Sequence, residues 1–220
     1  METLLIITHI AAGFMALAAG LGAMLLDKTS RGHVISGRMY YYAMLTIFLT
    51  GVPMSVVSEN WFLFGISFFA FYLAHSGMRF ARRKERTYSL LDKGIAGGFA
   101  LLSIATLGYA GYLYQAGLPN SAIILGIFGG IFLASSGLDS LVFWGLRPKK
   151  HHWVRSHIGR MGGSYIAAVT AFSVNVIDFL PGMVTWLAPT VIGTIILSRT
   201  TRYYVKKWNL QPKPTKSAAA

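Results

Sequence analysis

The Lys and Arg residues of this 220-residue chain are confined to four short clusters. All 20 of them fall within residues 28–38, 79–93, 147–160 and 199–216, and long apolar stretches separate the clusters. Loops on the cytoplasmic side of a membrane retain Lys and Arg, whereas exported loops lack them. The pattern therefore predicts an integral membrane protein whose basic connections all lie on one side.

The composition supports a membrane protein over a soluble one. Hydrophobic residues make up 54% of the chain and charged residues 12%, about half the charged content of a soluble domain. The net charge of +13 does not indicate nucleic-acid binding, because the cations flank hydrophobic spans instead of forming a basic domain. We expect anionic lipid headgroups at the cytoplasmic face to be their partners.

Seven runs of about 20 apolar residues are long enough to cross a bilayer. They lie near residues 3–26, 35–58, 61–80, 92–115, 120–145, 158–178 and 183–203. Basic connections alternate with connections that carry no cation, so the sequence predicts an all-α seven-helix bundle with its N-terminus outside and its C-terminus cytoplasmic. We expect residues 1–206 to form this domain and residues 207–220 to form a basic, disordered tail.

Two segments of the chain are similar to one another. Residues 13–26 read GFMALAAGLGAMLL and residues 130–143 read GIFLASSGLDSLVF, with Gly20 and Gly137 in register. A basic loop and then a Gly-Arg-Met triplet follow each segment, at residues 37–39 and 159–161. This indicates a parallel internal repeat of spans 1–3 and 5–7. Chance matching of Ala, Gly and Leu between membrane helices is the alternative.

Four ionisable residues at the cytoplasmic end of the spans are candidates for a functional site. An ionisable group inside a bilayer is costly, so each one is a site candidate by default. His75 lies near the inner end of span 3, Asp139 lies in the inner half of span 5, and His33 and His157 begin spans 2 and 6. The sequence therefore predicts a polar His/Asp site near the cytoplasmic face.

These residues also have structural interpretations. Asp139 would form an internal ion pair with Arg38 or Arg160 in one interpretation, and would serve as a ligand, proton carrier or substrate contact in the other. His75 would be a hydrogen-bonded interfacial histidine or a ligand. The sequence alone leaves these alternatives open.

Histidines inside membrane helices commonly hold haem iron, which makes a b-type haem in a redox role the leading hypothesis. His75 with His33 or His157 would supply the axial ligands, and a membrane redox partner would follow. The chain has no cysteine, so neither thiolate ligands nor thiol nucleophiles are available. Any metal or cofactor must be held by other groups.

Three further functions are open. A divalent metal bound by His33, His75, His157 and Asp139 would activate water in a membrane hydrolase. A repeat-based bundle would also suit a small transporter, and an accessory subunit would need no cofactor. A retinal protein is excluded, because span 7 has no lysine for a Schiff base.

Two short motifs near the N-terminus resemble a known family. His9 followed by Ala-Gly at residues 12–13, and the pattern H-x-x-x-G-R-x-Y over residues 33–40, resemble a bacterial membrane family called domain of unknown function 2306. The resemblance covers the first two or three spans and implies a bacterial inner (plasma) membrane, with no settled activity. Histidines in apolar helices give a looser similarity to cytochrome b561-like bundles, which implies haem binding.

Overall fold

The computed structural model of the chain describes residues 2–83, 88–146 and 152–209. Within these ranges the chain forms seven α-helices: α1 (Glu2–Leu25), α2 (Arg31–Val57), α3 (Trp61–Arg83), α4 (Leu90–Gln115), α5 (Pro119–Phe143), α6 (His152–Val176) and α7 (Gly182–Asn209). The prediction of an all-α chain is confirmed for this part of the sequence. The predicted tail begins inside α7, and its residues from 210 onward lie outside the described ranges.

Six of the helices are long and apolar enough to cross a membrane, which indicates a multi-pass membrane protein. The exception is α6, which is 25 residues long but carries Arg155, His157 and Arg160. His157 and Arg160 meet partners on α3 and α5, which accommodates their polarity inside the bundle, whereas Arg155 is exposed.

Local capping groups determine several helix ends. The Ser30 hydroxyl accepts a hydrogen bond from the backbone N–H of His33 and so begins α2 four residues before the predicted span. Ser89 and Asp92 form a capping box at the start of α4. The ammonium group of Lys28 donates to three carbonyl oxygens at the end of α1 and its connection, which satisfies groups that have no partner within the helix.

Helix α3 lies at the centre of the bundle and packs against α2, α4, α5 and α6. Helix α6 packs against α1, α3 and α7, whereas α7 packs chiefly against α6. Helices α1 and α2, which follow one another in the chain, are antiparallel: His9 of α1 contacts Thr50 near the end of α2, and Ala23 of α1 contacts His33 near its start. We call the end of the bundle where α1, α3, α5 and α7 finish the basic face, and the opposite end the far face.

Close helix approaches depend on glycine. A Cβ atom placed on Gly20 would lie 2.3 Å from the Tyr165 ring, and one placed on Gly162 would lie 2.3 Å from Leu197. Such small residues allow backbones to approach in a membrane, where apolar surface alone gives no driving force between helices. They bring α6 against α1 on one side and α7 on the other.

Replacing Gly77 by alanine should destabilise the bundle. A Cβ atom there would lie 2.9 Å from the Met161 backbone nitrogen and 2.7 Å from its Cγ, so α3 and α6 would have to separate. Overpacking of this kind costs roughly 1–3 kcal/mol. Thermal unfolding in detergent, followed by circular dichroism, would measure the change.

Gly137→Ala is the matched control, because a Cβ atom at that position has no neighbour within 4 Å. We expect its melting temperature to stay the same or rise slightly, since alanine favours a helix over glycine by up to about 1 kcal/mol. Equal destabilisation by both substitutions would contradict the close contact of α3 with α6.

Candidate functional site

A groove of about 1320 Å³ runs along α6, with α1 and α2 on one side and α7 on the other. The α7 residues that line it extend from Val184 to Tyr204, which is about 30 Å of helix and matches the hydrocarbon thickness of a bilayer. Most of its lining side chains are aliphatic or aromatic. The groove is open between α1 and α7, because its lining residues Met24 and Ile196 remain 47% and 60% exposed.

Two of the four predicted site residues meet at the basic end of this groove. His33 lies in the first turn of α2 and His157 in the second turn of α6, and both line the groove. Their ring centroids are 6.4 Å apart, and the ring planes are nearly perpendicular at 86°. The helix starts place both rings at the same depth, and the antiparallel α1–α2 pair packed against α6 brings them face to edge.

Backbone carbonyl groups hold both rings in the same tautomer. Nδ1 of His33 lies 2.8 Å from the Ala23 carbonyl oxygen, and Nδ1 of His157 lies 3.0 Å from the Gly77 carbonyl oxygen. A carbonyl oxygen only accepts, so Nδ1 carries the proton in each ring. In the neutral ring Nε2 then holds the lone pair, and no described residue donates a hydrogen bond to either Nε2. Each ring therefore has a fixed Nδ1–H and, in its neutral form, one unprotonated nitrogen, Nε2.

The basic end of the groove is positively charged. Lys28, Arg38, Arg82 and Arg199 line it, and no acidic side chain is among the described lining residues. Partial burial lowers the pKa of the Lys28 ammonium, and the nearby carboxylate of Asp27 opposes that shift. This part of the groove is suited to a negatively charged group attached to an apolar body.

His75 lies outside the groove, on another side of α3. The Tyr41 hydroxyl oxygen is 3.3 Å from its Nδ1, and the rings of Tyr41 and Phe71 flank the imidazole. His75 therefore lies between α2 and α3 with the Tyr41 hydroxyl as its partner, apart from the other three predicted residues.

Asp139 is 1% exposed and forms the ion pair with Arg160, which was one of the two partners considered from the sequence. The Arg160 guanidinium donates to Oδ1 of Asp139 at 2.9 Å and to the Ser135 carbonyl oxygen at 3.0 Å. The hydroxyl groups of Tyr72 and Ser76 donate to Oδ2 at 2.8 and 2.5 Å. This cluster connects α3, α5 and α6 and occupies the acceptor positions of the carboxylate.

The four predicted residues thus form three separate groups. Within the described ranges, no three His, Cys, Asp or Glu side chains come together as a metal site. The groove adds the thioethers of Met24, Met78 and Met161 near the histidine pair, which are soft ligands.

Sequence reasoning missed the hydroxyl partners of Asp139 and the carbonyl partners of the two histidines. Tyr72 and Ser76 are four residues apart, so they share one face of α3, and that spacing is a signal that could have identified them. The carbonyl groups of Ala23 and Gly77 carry no sequence signal, because every residue has one.

Comparisons of this chain with protein-family models, with curated proteins and with solved structures found no match. The resemblance to domain of unknown function 2306, and the looser one to cytochrome b561-like bundles, therefore stay hypotheses.

Proposed function

We propose that this protein binds one b-type haem at the basic end of the groove, with His33 and His157 as axial ligands, and that it has a redox role in the membrane. The observation that carries the proposal is the pair of oriented imidazoles with ring centres 6.4 Å apart. Two imidazoles bound to one metal ion hold their ring centres roughly 6 Å apart, because each metal–nitrogen bond is about 2 Å long. Ligating histidines also typically donate their other N–H to a carbonyl or carboxylate, as both rings do here.

The groove supports the same proposal. Its apolar walls suit a macrocycle, and the Arg38 and Arg82 side chains that line its basic end suit two carboxylates. Gly37 lines the groove one turn after His33, and a Cβ atom at Gly37 would have open space around it. When bound, haem supplies one-electron chemistry. The chain would hold it between α2 and α6 and exclude water from it with apolar side chains.

His75 is not an axial ligand in this proposal. Its ring packs between Tyr41 and Phe71, whereas the His33 and His157 rings lie next to one another with their centres 6.4 Å apart. The sequence predicts His75 with His33 or His157 as axial ligands; we propose His33 with His157 instead.

A divalent metal at the same histidine pair has less support. A hydrolytic metal site usually has at least three protein ligands, and within the described ranges no third His, Cys, Asp or Glu joins the pair. Asp139 is taken by Arg160, Tyr72 and Ser76. We therefore favour haem over a metal hydrolase.

The orientation of the bundle and its internal repeat belong to the same proposal. We infer that the basic face is cytoplasmic and the N-terminus outside, in a bacterial inner membrane, since the described Lys and Arg residues lie towards that face. The two Gly-Arg-Met triplets, residues 37–39 in α2 and 159–161 in α6, support the repeat. The two histidines are not in register with them, because His33 lies four residues before its triplet and His157 two residues before its own. The redox role calls for an electron partner in or at this membrane.

An absorption spectrum tests the proposal directly. The full chain should be expressed with adequate haem supply, purified in detergent, and recorded oxidised and after dithionite. We expect a Soret band, reduced α and β bands typical of two axial histidines, and close to one haem per chain by pyridine haemochrome assay. A spectrum without these bands, from a folded helical protein, would exclude the haem proposal.

A further inference from the structure

The open side of the groove carries a separate binding feature. Lys28 follows α1 and Arg199 belongs to α7, so these two cations flank the opening between the two helices at the basic face. Arg38 and Arg82, which would face haem carboxylates, belong to α2 and α3 on the closed side. The opening therefore has two cations that are separate from the pair on the closed side of the groove.

Two tyrosines mark the interfacial end of the opening. Tyr203 and Tyr204 line it beside Arg199, and the Lys28 ammonium lies 5.9 Å from the centre of the Tyr204 ring. Tyrosine is typical of the headgroup level of a membrane, where its ring is partly apolar and its hydroxyl is wet. Cations beside such tyrosines are typical of the depth of lipid phosphates.

Apolar side chains continue the opening towards the far face. Met24 of α1 and Ile192 and Ile196 of α7 line it, and they are 47%, 59% and 60% exposed. An occupant must therefore match cations at one end and hydrocarbon along the rest. A soluble anion satisfies only the first requirement, and a zwitterionic lipid satisfies the first only weakly.

We propose that one phospholipid with a net negative headgroup occupies this opening. Its phosphate accepts hydrogen bonds from Arg199 and lies within the positive charge of Lys28, whose three N–H groups already donate to carbonyl oxygens at the end of α1. Its acyl chains lie along α1 and α7 and close the groove from the bilayer side. The proposal uses residues on the open side only, so it holds with or without haem at His33 and His157.

Thermal unfolding of the delipidated full chain in detergent tests this proposal. We expect short-chain phosphatidylglycerol to raise the melting temperature of the wild type in a saturable way, because a ligand that binds only the folded state stabilises it. Phosphatidylcholine of equal chain length and inorganic phosphate should each give a much smaller shift. The Lys28→Gln/Arg199→Gln variant should lose at least about tenfold in apparent affinity, or roughly 1.4 kcal/mol.

The matched control is Arg31→Gln/Arg202→Gln. Both residues are exposed and do not line the groove. Arg31 lies three residues after Lys28, and Arg202 lies three residues after Arg199 in α7. This variant therefore loses the same net charge but should keep wild-type affinity. Equal loss in both variants would show general surface attraction and overturn the proposal. Equal shifts with phosphatidylcholine, or a full shift with inorganic phosphate alone, would overturn it as well.

The same titration on His33→Ala/His157→Ala separates this proposal from the haem proposal. We expect lipid affinity to be retained in that variant even when no haem is present. Loss of lipid affinity together with the histidines, in a folded protein, would show that the two sites are not independent and would contradict the placement of the lipid on the open side.

Discussion

His157→Ala is expected to abolish the haem spectrum while the helical bundle still forms. Because His157 would supply one of two axial nitrogens, its loss should remove the low-spin α and β bands and reduce haem occupancy at least tenfold. His33→Ala should have the same effect. Circular dichroism and size-exclusion chromatography in detergent would establish that each variant is folded, and the pyridine haemochrome assay would give its haem content.

The control for this prediction is His75→Ala. His75 is also a half-buried histidine near the basic face, but it contacts Tyr41 and lies outside the groove, so its variant should retain full occupancy. Added imidazole should restore part of the spectrum of His157→Ala, because a free ligand can enter the space that the side chain leaves. Full occupancy in His157→Ala, or loss of haem in His75→Ala alone, would contradict the assignment of the axial ligands.

Asp139→Ala should be the most destabilising single substitution at the ion-pair cluster. Asp139 is 1% exposed and Arg160 is its partner at 2.9 Å, so alanine leaves a guanidinium without its counter-ion inside the bundle. Removing one partner of a buried pair costs roughly 3–5 kcal/mol. The hydroxyl groups of Tyr72 and Ser76 would lose their acceptor in the same step. Thermal or denaturant unfolding in detergent would measure the loss.

Ser140→Ala is the control on the same helix. Among the residues that the structure describes, the Ser140 hydroxyl donates to the carbonyl oxygen of Ser136 in its own helix, so we expect a change below about 1 kcal/mol. Adding Arg160→Met to Asp139→Ala should recover part of the lost stability, since the unpaired charge is removed. A double variant less stable than Asp139→Ala would show that Arg160 has partners more important than Asp139.

The helices could be predicted from the sequence because a bilayer imposes a length on each apolar run. All seven predicted runs coincide with helices, and the differences lie at their ends. The start of α2 at Arg31 depends on a hydrogen bond from the His33 backbone to Ser30, which hydropathy does not register. Helix α6 begins at His152, before its predicted span at 158, because polar residues extend the helix beyond its apolar part.

The sequence predicts how far along its helix each candidate site residue lies, but not which neighbouring helix its side chain faces. The distance of His33, His75, His157 and Asp139 along each helix predicts that all four lie towards one face. Successive helix residues are rotated by about 100°, so His75 and Gly77 point to different neighbours, the first to α2 and the second to α6. Which helices are neighbours depends on tertiary packing, and one sequence contains little information about that.

Helix packing also determines which arginine pairs with Asp139. Arg38 and Arg160 are the middle residues of the two Gly-Arg-Met triplets, and the sequence could not distinguish them as partners. Helix α6 packs along α3, and α3 in turn contacts α5, which brings Arg160 to the carboxylate. Arg38 instead lines the groove with His33.

The polarity of α6 also bears on how the protein is assembled in a cell. An arginine at the centre of a membrane helix costs roughly 2.5–3.5 kcal/mol on insertion, and α6 is the helix that falls short of a membrane span in its hydropathy. Helix α5 precedes it and carries the counter-ion of Arg160. We therefore expect α5 and α6 to leave the translocon as a pair. During biogenesis, the Asp139 carboxylate of α5 would neutralise Arg160 and so allow α6 to enter the bilayer.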